Sequence, residues 1–389
     1  MVLPVGAMKA AAGVVSQAAA RGVRRSRAVM TGAGSASSGA RSESALTPAI
    51  SRPGGGGLGA AGLLVLAPAV LAAAAEQERW EPEGAARRPL LRAGGATGPA
   101  LCLQRMITDV YKFDDCQQPV GRGSRSTVSV ATHRRTGSPV AVKQIPRRTS
   151  SECQVKEEVR MLKEAGDHPN VVQLRGFFED ADAYYIVMEI CAGGELYDRL
   201  AEKGRYSEGQ AARIMVEVLG AIAWLHSKSI VHFDIKPENI MLAVGDDLIP
   251  EVKLADFGSA FSTEYPVGEK DYTVAYSAPE VLTQGDVTEK VDVWACGAVM
   301  YTLLTGRHPF DTSLALDEEE VARRVTSEDP DLQAKAMRHV SPEAKDLLRR
   351  LLAKDPKDRP TALQALNHPW LEAVKGRWTR EEEAQAPAA

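Results

Sequence analysis

The chain of 389 residues is long enough for two or three domains, or for one bilobal domain with an extension. Apolar residues make up 44% and charged residues 25% of it, as is typical of soluble globular proteins. The net charge of −4 is unevenly distributed, because residues 1–108 carry 12 Lys/Arg against 5 Asp/Glu (+7) and residues 109–389 carry 35 against 46 (−11). The acidic balance of the larger part argues against nucleic acid as the main partner.

The five cysteines argue against a disulfide framework or a zinc site. They are scattered, odd in number and without a CxxC pair, and the histidines do not cluster with them. A reducing compartment is therefore the expected environment.

Residues 1–105 contain little that could build a core, because Ala, Gly, Ser and Arg dominate and aromatic residues are nearly absent. The first 42 residues hold six basic residues and no acidic one, which resembles a plastid or mitochondrial transit peptide. A disordered Ala-rich tail on a cytoplasmic protein explains this composition equally well. An uncharged run of 18 residues at 58–75 just reaches membrane-spanning length but is weakly hydrophobic, so a membrane anchor, a signal-type segment and an Ala-rich tail all stay open.

The pattern changes to that of a folded domain at about Asp109. Four strand-like runs are predicted, at 128–131, 140–145, 171–174 and 183–189. A helix is predicted at 152–164. After Gly193-Gly194 the pattern becomes mainly helical, and six helices are predicted, at 195–202, 207–228, 291–304, 317–326, 342–352 and 361–366. Strands first and helices after indicate a small sheet-based lobe joined to a larger helical lobe.

The stretch 231–242 (VHFDIKPENIML) is the most informative in the chain. Its apolar residues flank a short polar loop, which holds Asp234, Lys236 and Asn239. The triplet Asp-Phe-Gly follows at 256–258. An Asp free to act as a base, together with an amide and a second carboxylate that could hold a metal ion, suits phosphoryl transfer.

A phosphate cradle is expected upstream of this loop, at Gly121-x-Gly123. The two glycines lie between predicted strands, a context that excludes a Rossmann or Walker-type site. Small residues let backbone N–H groups approach phosphates closely. Gly-x-Gly alone is a weak signal, because it also occurs in ordinary turns.

Lys143 lies in an otherwise apolar predicted strand. Glu158, fifteen residues later in the predicted helix, can supply the anionic partner that such a lysine needs and leave the ammonium directed at a phosphate. On the pattern of this residue alone, a lysine on a solvated strand face is an equally good explanation.

These motifs and Ala278-Pro279-Glu280 occur in the order and at the spacings of the protein-kinase signature set. Residues 106–371 therefore resemble a eukaryotic protein kinase domain. The resemblance implies an α+β fold with two lobes, a small antiparallel β-sheet lobe with one helix (106–188) and a larger, mainly helical lobe (192–371). Residues 372–389 would form a short tail.

Within that family the chain is most similar to the calcium/calmodulin-dependent kinase group. The segment 187–199 resembles the catalytic domain of calcium-dependent protein kinases, and the triplet His-Pro-Trp at 368–370 is also typical of the group. His232-Phe233-Asp234 resembles the catalytic loop of death-associated protein kinases.

The resemblance implies an ATP- and Mg²⁺-dependent kinase that acts on Ser or Thr in protein substrates. It gives catalytic roles to Lys143, which would bind the α- and β-phosphates, to Glu158, which would orient Lys143, to Asp234, the base, and to Lys236, which would neutralise the transferred phosphate. Asn239 and Asp256 would hold magnesium. The nucleotide site would also include Val120, Gly121, Gly123, Ser124, Val128, Ala141, Met188, Glu189, Cys191, Glu195 and Met241. Of these, Glu189 and Cys191 would offer backbone hydrogen bonds to adenine, and Met188 would be the gatekeeper. The peptide groove would include Glu195, Glu238 and Thr273.

Other residues have structural roles by the same resemblance. An apolar stack joining the lobes would contain Leu162, Leu174, His232 and Phe257. A buried ion pair would join Glu280 to Arg359, and Asp292 would brace the catalytic loop.

Three residues depart from the family pattern. Ser126 stands in place of the third glycine of the phosphate loop, Phe233 in place of the usual Arg before the catalytic Asp, and Tyr272 in place of the Gly before Thr273. The missing Arg normally receives a phosphorylated activation-loop residue, so switching by loop phosphorylation is not expected, and the loop residues Ser259, Ser262 and Thr263 are interpreted as non-essential.

Regulatory elements are absent from the sequence pattern. There is no calcium-binding loop motif, and the acidic segment 377–383 does not suit calmodulin, so that direct binding of calcium or calmodulin is not expected and a monomer is the default. The alternative to an active kinase is a pseudokinase scaffold that binds ATP or partners without phosphoryl transfer. The intact set of Lys143, Glu158, Asp234, Asn239 and Asp256 argues against it.

Overall fold

Alternating apolar residues build a sheet in the first part of the folded region, and apolar helices fill the remainder. The computed structural model describes residues 106–113, 119–243, 251–264, 270–311 and 316–375. The predictions made for residues 1–105, with the apolar run at 58–75, and for the segment after 375 lie outside these residues. Within the described ranges, no helix has the length and apolar character that a membrane crossing requires.

The small lobe contains a six-stranded antiparallel sheet and two helices. The helices are α1 (Ile107–Val110) and α2 (Glu152–Ala165). The strands are β1 (Tyr111–Phe113), β2 (Gly121–Arg122), β3 (Thr127–His133), β4 (Pro139–Pro146), β5 (Leu174–Glu179) and β6 (Ala183–Met188). Their order is β1–β3–β4–β6–β5, and β2 pairs with β3.

The period-two pattern of β4 decides which residues face the cleft. Val140 and Val142 point to one face, where they are buried in a cluster with Ile107. Ala141 and Lys143 therefore point to the opposite face. The sheet register sets Lys143 opposite Val128 on β3.

The large lobe is mainly helical. Its helices are α3 (Leu196–Lys203), α4 (Glu208–Ser227), α5 (Pro279–Leu282), α6 (Lys290–Thr305), α7 (Glu318–Ser327), α8 (Pro342–Leu351) and α9 (Ala362–Leu366). Its short strands are β7 (Gly194–Glu195), β8 (Ile230–Val231), β9 (Ile240–Leu242), β10 (Val252–Leu254) and β11 (Phe261–Ser262). They pair as β10–β9–β7 and β11–β8.

Helix α6 forms the centre of this lobe. All of its residues from Val291 to Thr305 are buried, which is possible because the helix is apolar on every side. Gly297 allows α8 to approach it closely, since a Cβ atom there would lie 2.9 Å from side-chain atoms of Leu351 and Leu352.

The predicted bilobal α+β fold is confirmed, and each predicted helix ends within one residue of the observed one. The strand predicted at 171–174 is wrong, because the observed strand is Leu174–Glu179. Val171 and Val172 are apolar for another reason, since both are buried beside β10, where the Val172 N–H donates to Leu254 O at 2.9 Å.

The end of α2 and the segment after it are fastened to the large lobe. The indole Nε1 of Trp224 donates to Ala165 O at 2.8 Å, and the Asn170 side chain donates to Val252 O at 2.8 Å. Lys253 Nζ donates to Pro169 O at 2.7 Å. The residues between α2 and β5 are thus held by α4 and β10.

The predicted ion pair of Glu280 with Arg359 is present and buried. The guanidinium donates to both carboxylate oxygens at 2.7 and 2.8 Å, and also to the backbone carbonyls of Lys290, Ala353 and Lys354. Bidentate geometry and satisfied remaining donors are the conditions under which a buried pair is tolerated.

Glu217 on α4 is a buried carboxylate that accepts only neutral donors among its described hydrogen bonds. Its Oε2 accepts from Asn170 Nδ2 at 2.9 Å and from Val252 N at 2.7 Å. Burial raises the pKa of Glu217 to about 7, although the Val252 and Asn170 donors oppose the shift.

Glu217→Gln is expected to stabilise the protein at pH 8 and to change little at pH 4. Because the carboxyl pKa is raised in the folded state, its contribution to the free energy of unfolding is fully present below the unfolded-state pKa and is lost as the pH rises through the folded-state pKa. Glutamine keeps the hydrogen-bond acceptor but carries no charge at any pH. The gain in the free energy of unfolding should grow by up to about 3 kcal/mol between pH 4 and 8, measured by urea unfolding. The exposed control Glu343→Gln should show no such trend, and a pH-independent effect of Glu217→Gln would contradict the expectation.

Candidate active site

Lys143 joins the two lobes through two carboxylates. Its Nζ lies 2.6 Å from Glu158 Oε1 on α2 and 2.7 Å from Asp256 Oδ1 in the large lobe. Helix α2 begins at Glu152 because Ser151 before it forms a capping box with Gln154. The structure therefore brings together three of the residues that sequence analysis selected.

The charges of this cluster stabilise one another. Burial alone would lower the pKa of Lys143, but the carboxylates of Asp256 and Glu158 outweigh it and raise that pKa. The Lys143 ammonium holds the pKa of Asp256 well below its usual range. Burial raises the pKa of Glu158, against the opposing effect of Lys143. Lys143 is thus a fixed cation beside an ionised Asp256.

The Asp256-Phe257-Gly258 triplet has a strained backbone held by close contacts. Asp256 has a φ of 61°, in the left-handed region that non-glycine residues seldom adopt. Gly258 N donates to Asp256 Oδ1 at 3.2 Å, and a Cβ at Gly258 would lie 3.2 Å from the same oxygen. The Phe257 ring is buried edge-to-face against His232, with centroids 5.0 Å apart.

Asp292 on α6 braces the catalytic loop, as predicted. It is almost completely buried and accepts from the backbone N–H groups of His232 and Phe233, each at 2.9 Å. It also lies 2.9 Å from His226 Nε2. These bonds fix the backbone directly before Asp234.

Asp234 lies at the centre of a polar network. Its Oδ1 accepts from Thr273 Oγ1 at 2.7 Å, and its Oδ2 accepts from Lys236 Nζ at 2.7 Å and Asn239 Nδ2 at 2.9 Å. Lys236 Nζ also donates to Thr273 Oγ1 at 2.8 Å. A carboxylate held in this way is placed to accept a proton from a hydroxyl group that reaches it.

The predicted nucleotide residues occupy both sides of the cleft between the lobes. On the small-lobe side, Val128 and Ala141 flank Lys143 in the sheet, and Met188 pairs with Ala141. On the other side, Met241 pairs with Glu195 between β9 and β7.

The phosphate loop forms a tight turn. Gly121 pairs with Val128, and the Gly123 N–H donates to Ser126 O at 2.9 Å. A Cβ atom at Gly123 would lie 3.3 Å from Ser126 Oγ, so that the turn leaves little room for a side chain at position 123. Val120, just before the turn, and Ser124, within it, are exposed.

In the segment that joins the lobes, Glu189 has a backbone hydrogen bond within the protein. Its backbone N–H donates to Gln173 O at 3.0 Å, so that the group it could offer to adenine is its carbonyl. Its buried carboxylate accepts from Gln173 N at 2.9 Å and pairs with Lys253 at 3.1 Å. Burial raises the pKa of the neighbouring Cys191 thiol to about 12, so this side chain is a neutral thiol in the cleft.

The residues predicted to line the peptide groove lie within or next to the catalytic loop or contact it. Glu238 Oε2 is buried without a hydrogen-bond partner among the described residues, and burial raises the pKa of its carboxyl. The acidic residues Asp198 and Asp234 act on that pKa in the same direction. Glu195 precedes α3 in the chain, and Thr273 contacts Asp234 directly.

Comparisons with known proteins identify the family. A model described as the protein kinase domain matches residues 115–371. The chain belongs to the protein kinase family. Among curated relatives, calcium-dependent protein kinase 12 of Oryza sativa subsp. japonica is 36% identical over 283 residues, covering 71% of this chain and 52% of the relative.

Two further relatives give the same result. Calcium-dependent protein kinase 34 of Arabidopsis thaliana is 36% identical over 326 residues, covering 82% of this chain and 58% of the relative. Calcium-dependent protein kinase 9 of Oryza sativa subsp. japonica is 38% identical over 273 residues, covering 68% and 46%. The chain spans about half the length of the curated relatives it matches. The resemblance to the catalytic domain of calcium-dependent protein kinases is thus confirmed.

The donor set of this kinase-family cleft fits a magnesium ion. Asp256 supplies a carboxylate, and Asn239 uses its amide nitrogen to donate to Asp234, so that its ligating atom would be the amide oxygen. Both are hard oxygen donors of the kind that Mg²⁺ prefers. In the described part of the chain, no group of three or more His, Cys, Asp or Glu residues forms a complete protein cage. A site of this kind would share the ion with phosphate oxygens and water.

Sequence reasoning missed two features of the site. The first is the Lys253–Glu189 pair, although Lys253 within an apolar strand gives the same signal that singled out Lys143. The second is a contact between Phe233 and Tyr272. No local sequence pattern predicts it, because the two residues lie 39 positions apart.

Proposed function

We propose that the chain is an ATP-dependent protein serine/threonine kinase. The observation that carries the proposal is the Lys143 cation held between Glu158 and Asp256, above a catalytic loop whose Asp234 is fixed by three donors. Family membership supports it. Lys236, two residues after the base, is the mark of Ser/Thr rather than tyrosine kinases by resemblance.

Each residue of the candidate active site has its own role in the proposed phosphoryl transfer. The substrate hydroxyl loses its proton to Asp234 as its oxygen forms a bond to the γ-phosphorus, and the bond from that phosphorus to the bridging oxygen of ADP breaks. Lys236 offsets negative charge on the transferred group, and Lys143 holds the α- and β-phosphates. Magnesium, held by Asn239 and Asp256, would supply charge neutralisation at the phosphates.

Asp234→Asn is expected to lower kcat at least about a hundredfold, because the amide cannot accept the proton. ATP affinity should stay nearly unchanged, since Lys143, Glu158 and Asp256 are untouched. A radiolabelled-ATP assay on a peptide array measures transfer, and nucleotide titration measures binding. Asp286→Asn, at an exposed aspartate outside the cleft, is the matched control. ATP binding without transfer in the wild-type protein would instead identify a pseudokinase.

We further propose that the peptide groove prefers a basic residue three positions before the acceptor. The buried Oε2 of Glu238 has no hydrogen-bond partner within the described part of the chain, which supports this, since a carboxylate in that environment is strongly stabilised by a charged donor. The neighbouring acidic residues Asp198 and Glu195 add to the negative potential.

A positional peptide library should therefore select Arg at that position. In Glu238→Gln, KM for the Arg-containing peptide should rise by roughly tenfold, the equivalent of about 1.4 kcal/mol of lost pairing. KM for the matched peptide with Ala in place of Arg should not change. Equal KM values of the wild type for both peptides would rule the preference out.

Activation without loop phosphorylation is a third part of the proposal. Phe233 stands where a phosphate-binding Arg would be needed, and it cannot pair with a phosphate. Ser259 and Ser262 are buried, and Ser259 Oγ donates to Asp271 O at 2.8 Å. Thr263 is exposed. Neither calcium nor calmodulin is proposed as a direct ligand, and the proposed working unit is a monomer.

Phosphatase treatment is therefore expected to leave the rate of peptide phosphorylation unchanged. Mass spectrometry of the treated protein verifies that phosphate has been removed. Thr263→Ala should likewise match the wild type, because this threonine is the exposed hydroxyl among the three. A large loss of rate in either sample would refute phosphate-independent activity.

A further inference from the structure

Phe233 and Tyr272, two of the three residues that depart from the kinase pattern, are in contact. The ring of Tyr272 packs edge-to-face against that of Phe233, with centroids 6.2 Å apart and planes at 82°. Phe233 in turn packs edge-to-face against Phe261, at 5.5 Å and 72°. The three rings form an aromatic row, Phe261–Phe233–Tyr272, that joins the catalytic loop to the segments before and after the undescribed residues 265–269.

This row runs beside the catalytic hydrogen bonds. Phe233 directly precedes Asp234, and Tyr272 directly precedes Thr273. Asp234 and Thr273 are themselves joined by a hydrogen bond of 2.7 Å. The same two segments are thus linked twice, once by rings and once by the polar contact at the base. A shift of Tyr272 would be passed to Thr273 through one peptide bond.

The backbone at Phe233 needs such support. Its φ is 70°, a left-handed conformation that is unfavourable for a bulky aromatic residue. Strained conformations persist where the surroundings over-determine them. Asp292 holds the Phe233 N–H from the side of the core, at 2.9 Å. The rings of Phe261 and Tyr272 hold its side chain from two other directions.

The residues next to Tyr272 are anchored as well. Lys270 Nζ donates to Ala260 O at 2.9 Å, and Asp271 accepts at its backbone carbonyl from Ser259 Oγ at 2.8 Å. The Asp271 carboxylate pairs with Arg125 of the phosphate loop. This last pair is exposed on both sides, where ion pairs contribute little. The Tyr272 ring is therefore the apolar anchor of the segment 270–273.

We propose that Tyr272 is a positioning residue that acts through Phe233 to hold Thr273 and Asp234 in register. The ring contact takes the place of the bond between a phosphate and an Arg. The inference rests on the proposed kinase function, and deepens it by naming the residue that allows activity without a loop phosphate. Since 43% of Tyr272 is exposed, its removal should affect the position of the segment more than the stability of the fold.

The test compares Tyr272→Gly, which restores the family residue, with Tyr272→Phe, which keeps the ring. The glycine variant should lose about three- to tenfold in kcat, the range that an aromatic pair contributes, with KM for ATP unchanged. The phenylalanine variant should restore the wild-type kcat, because the contact is made by the ring. Leu363→Ala, at an exposed apolar residue of α9, is the matched control and should keep the wild-type kcat. Thermal unfolding of each variant checks that the fold is intact.

A double-mutant cycle shows whether Tyr272 acts through Phe233. Phe233→Leu and Tyr272→Gly combined should lose no more in kcat than the more damaging single change. If the kcat losses of the two single variants multiply in the double variant, or if Tyr272→Gly keeps the wild-type kcat, the inference is wrong. The kinase proposal would still stand in both cases. A Tyr272→Phe variant as slow as Tyr272→Gly would also overturn it, since the hydroxyl and not the ring would then matter. A wild-type protein that transfers no phosphate would overturn the proposed function and this inference together.

Discussion

The ammonium of Lys143 lies between the carboxylates of Glu158 and Asp256, and the three groups come from β4, α2 and the large lobe. A buried charge is tolerated only where opposite charges and hydrogen bonds replace its water, so the buried Lys143 and Glu158 depend on each other, and Lys143 gains a second partner in the more exposed Asp256. The side chains of Lys143 and Glu158 are 12% and 6% exposed, which leaves little water to compensate for a missing partner. The arrangement of the cleft is thus tied to the closure of one small electrostatic cluster.

Other buried carboxylates of the large lobe also need groups that replace their lost water, and they find them in different partners. Glu280 is matched by a guanidinium, and Asp292 accepts two backbone N–H groups and faces a histidine. Glu217 has neutral donors only among its described hydrogen bonds, and burial raises its pKa against the opposing effect of these donors. Glu238, for which we propose a role in the peptide groove, has a carboxylate oxygen with no partner among the described residues. It differs in this respect from Glu280 and Asp292, whose carboxylates are hydrogen-bonded within the fold.

Local signals account for most of what the sequence predicted. The predicted helices agree with the observed ones to within one residue because their caps are visible in the sequence, as with Ser207 and Thr361 before α4 and α9. The four-residue helices α1 and α5 are not predicted. The candidate catalytic residues could be predicted because phosphoryl transfer requires particular residue types at particular spacings. The strand at 174–179 was missed because the preceding apolar pair, Val171 and Val172, serves a contact with the other lobe. The buried carboxylate of Glu189 and the contact of Tyr272 with Phe233 depend on tertiary neighbours that no window of sequence contains.

The fastening of the end of α2 to the large lobe determines how this helix can move. Trp224 holds Ala165, and the residues that follow are bonded to β10 and α4. The helix is therefore fixed to the large lobe at its C-terminal end, and its Val155 and Val159 side chains are buried in the apolar core. Glu158 lies about 10 Å from that end, so that a rotation of about 10° around it would displace the carboxylate by about 2 Å. The distance between Glu158 and Lys143 thus depends on the angle at which one helix leaves the large lobe.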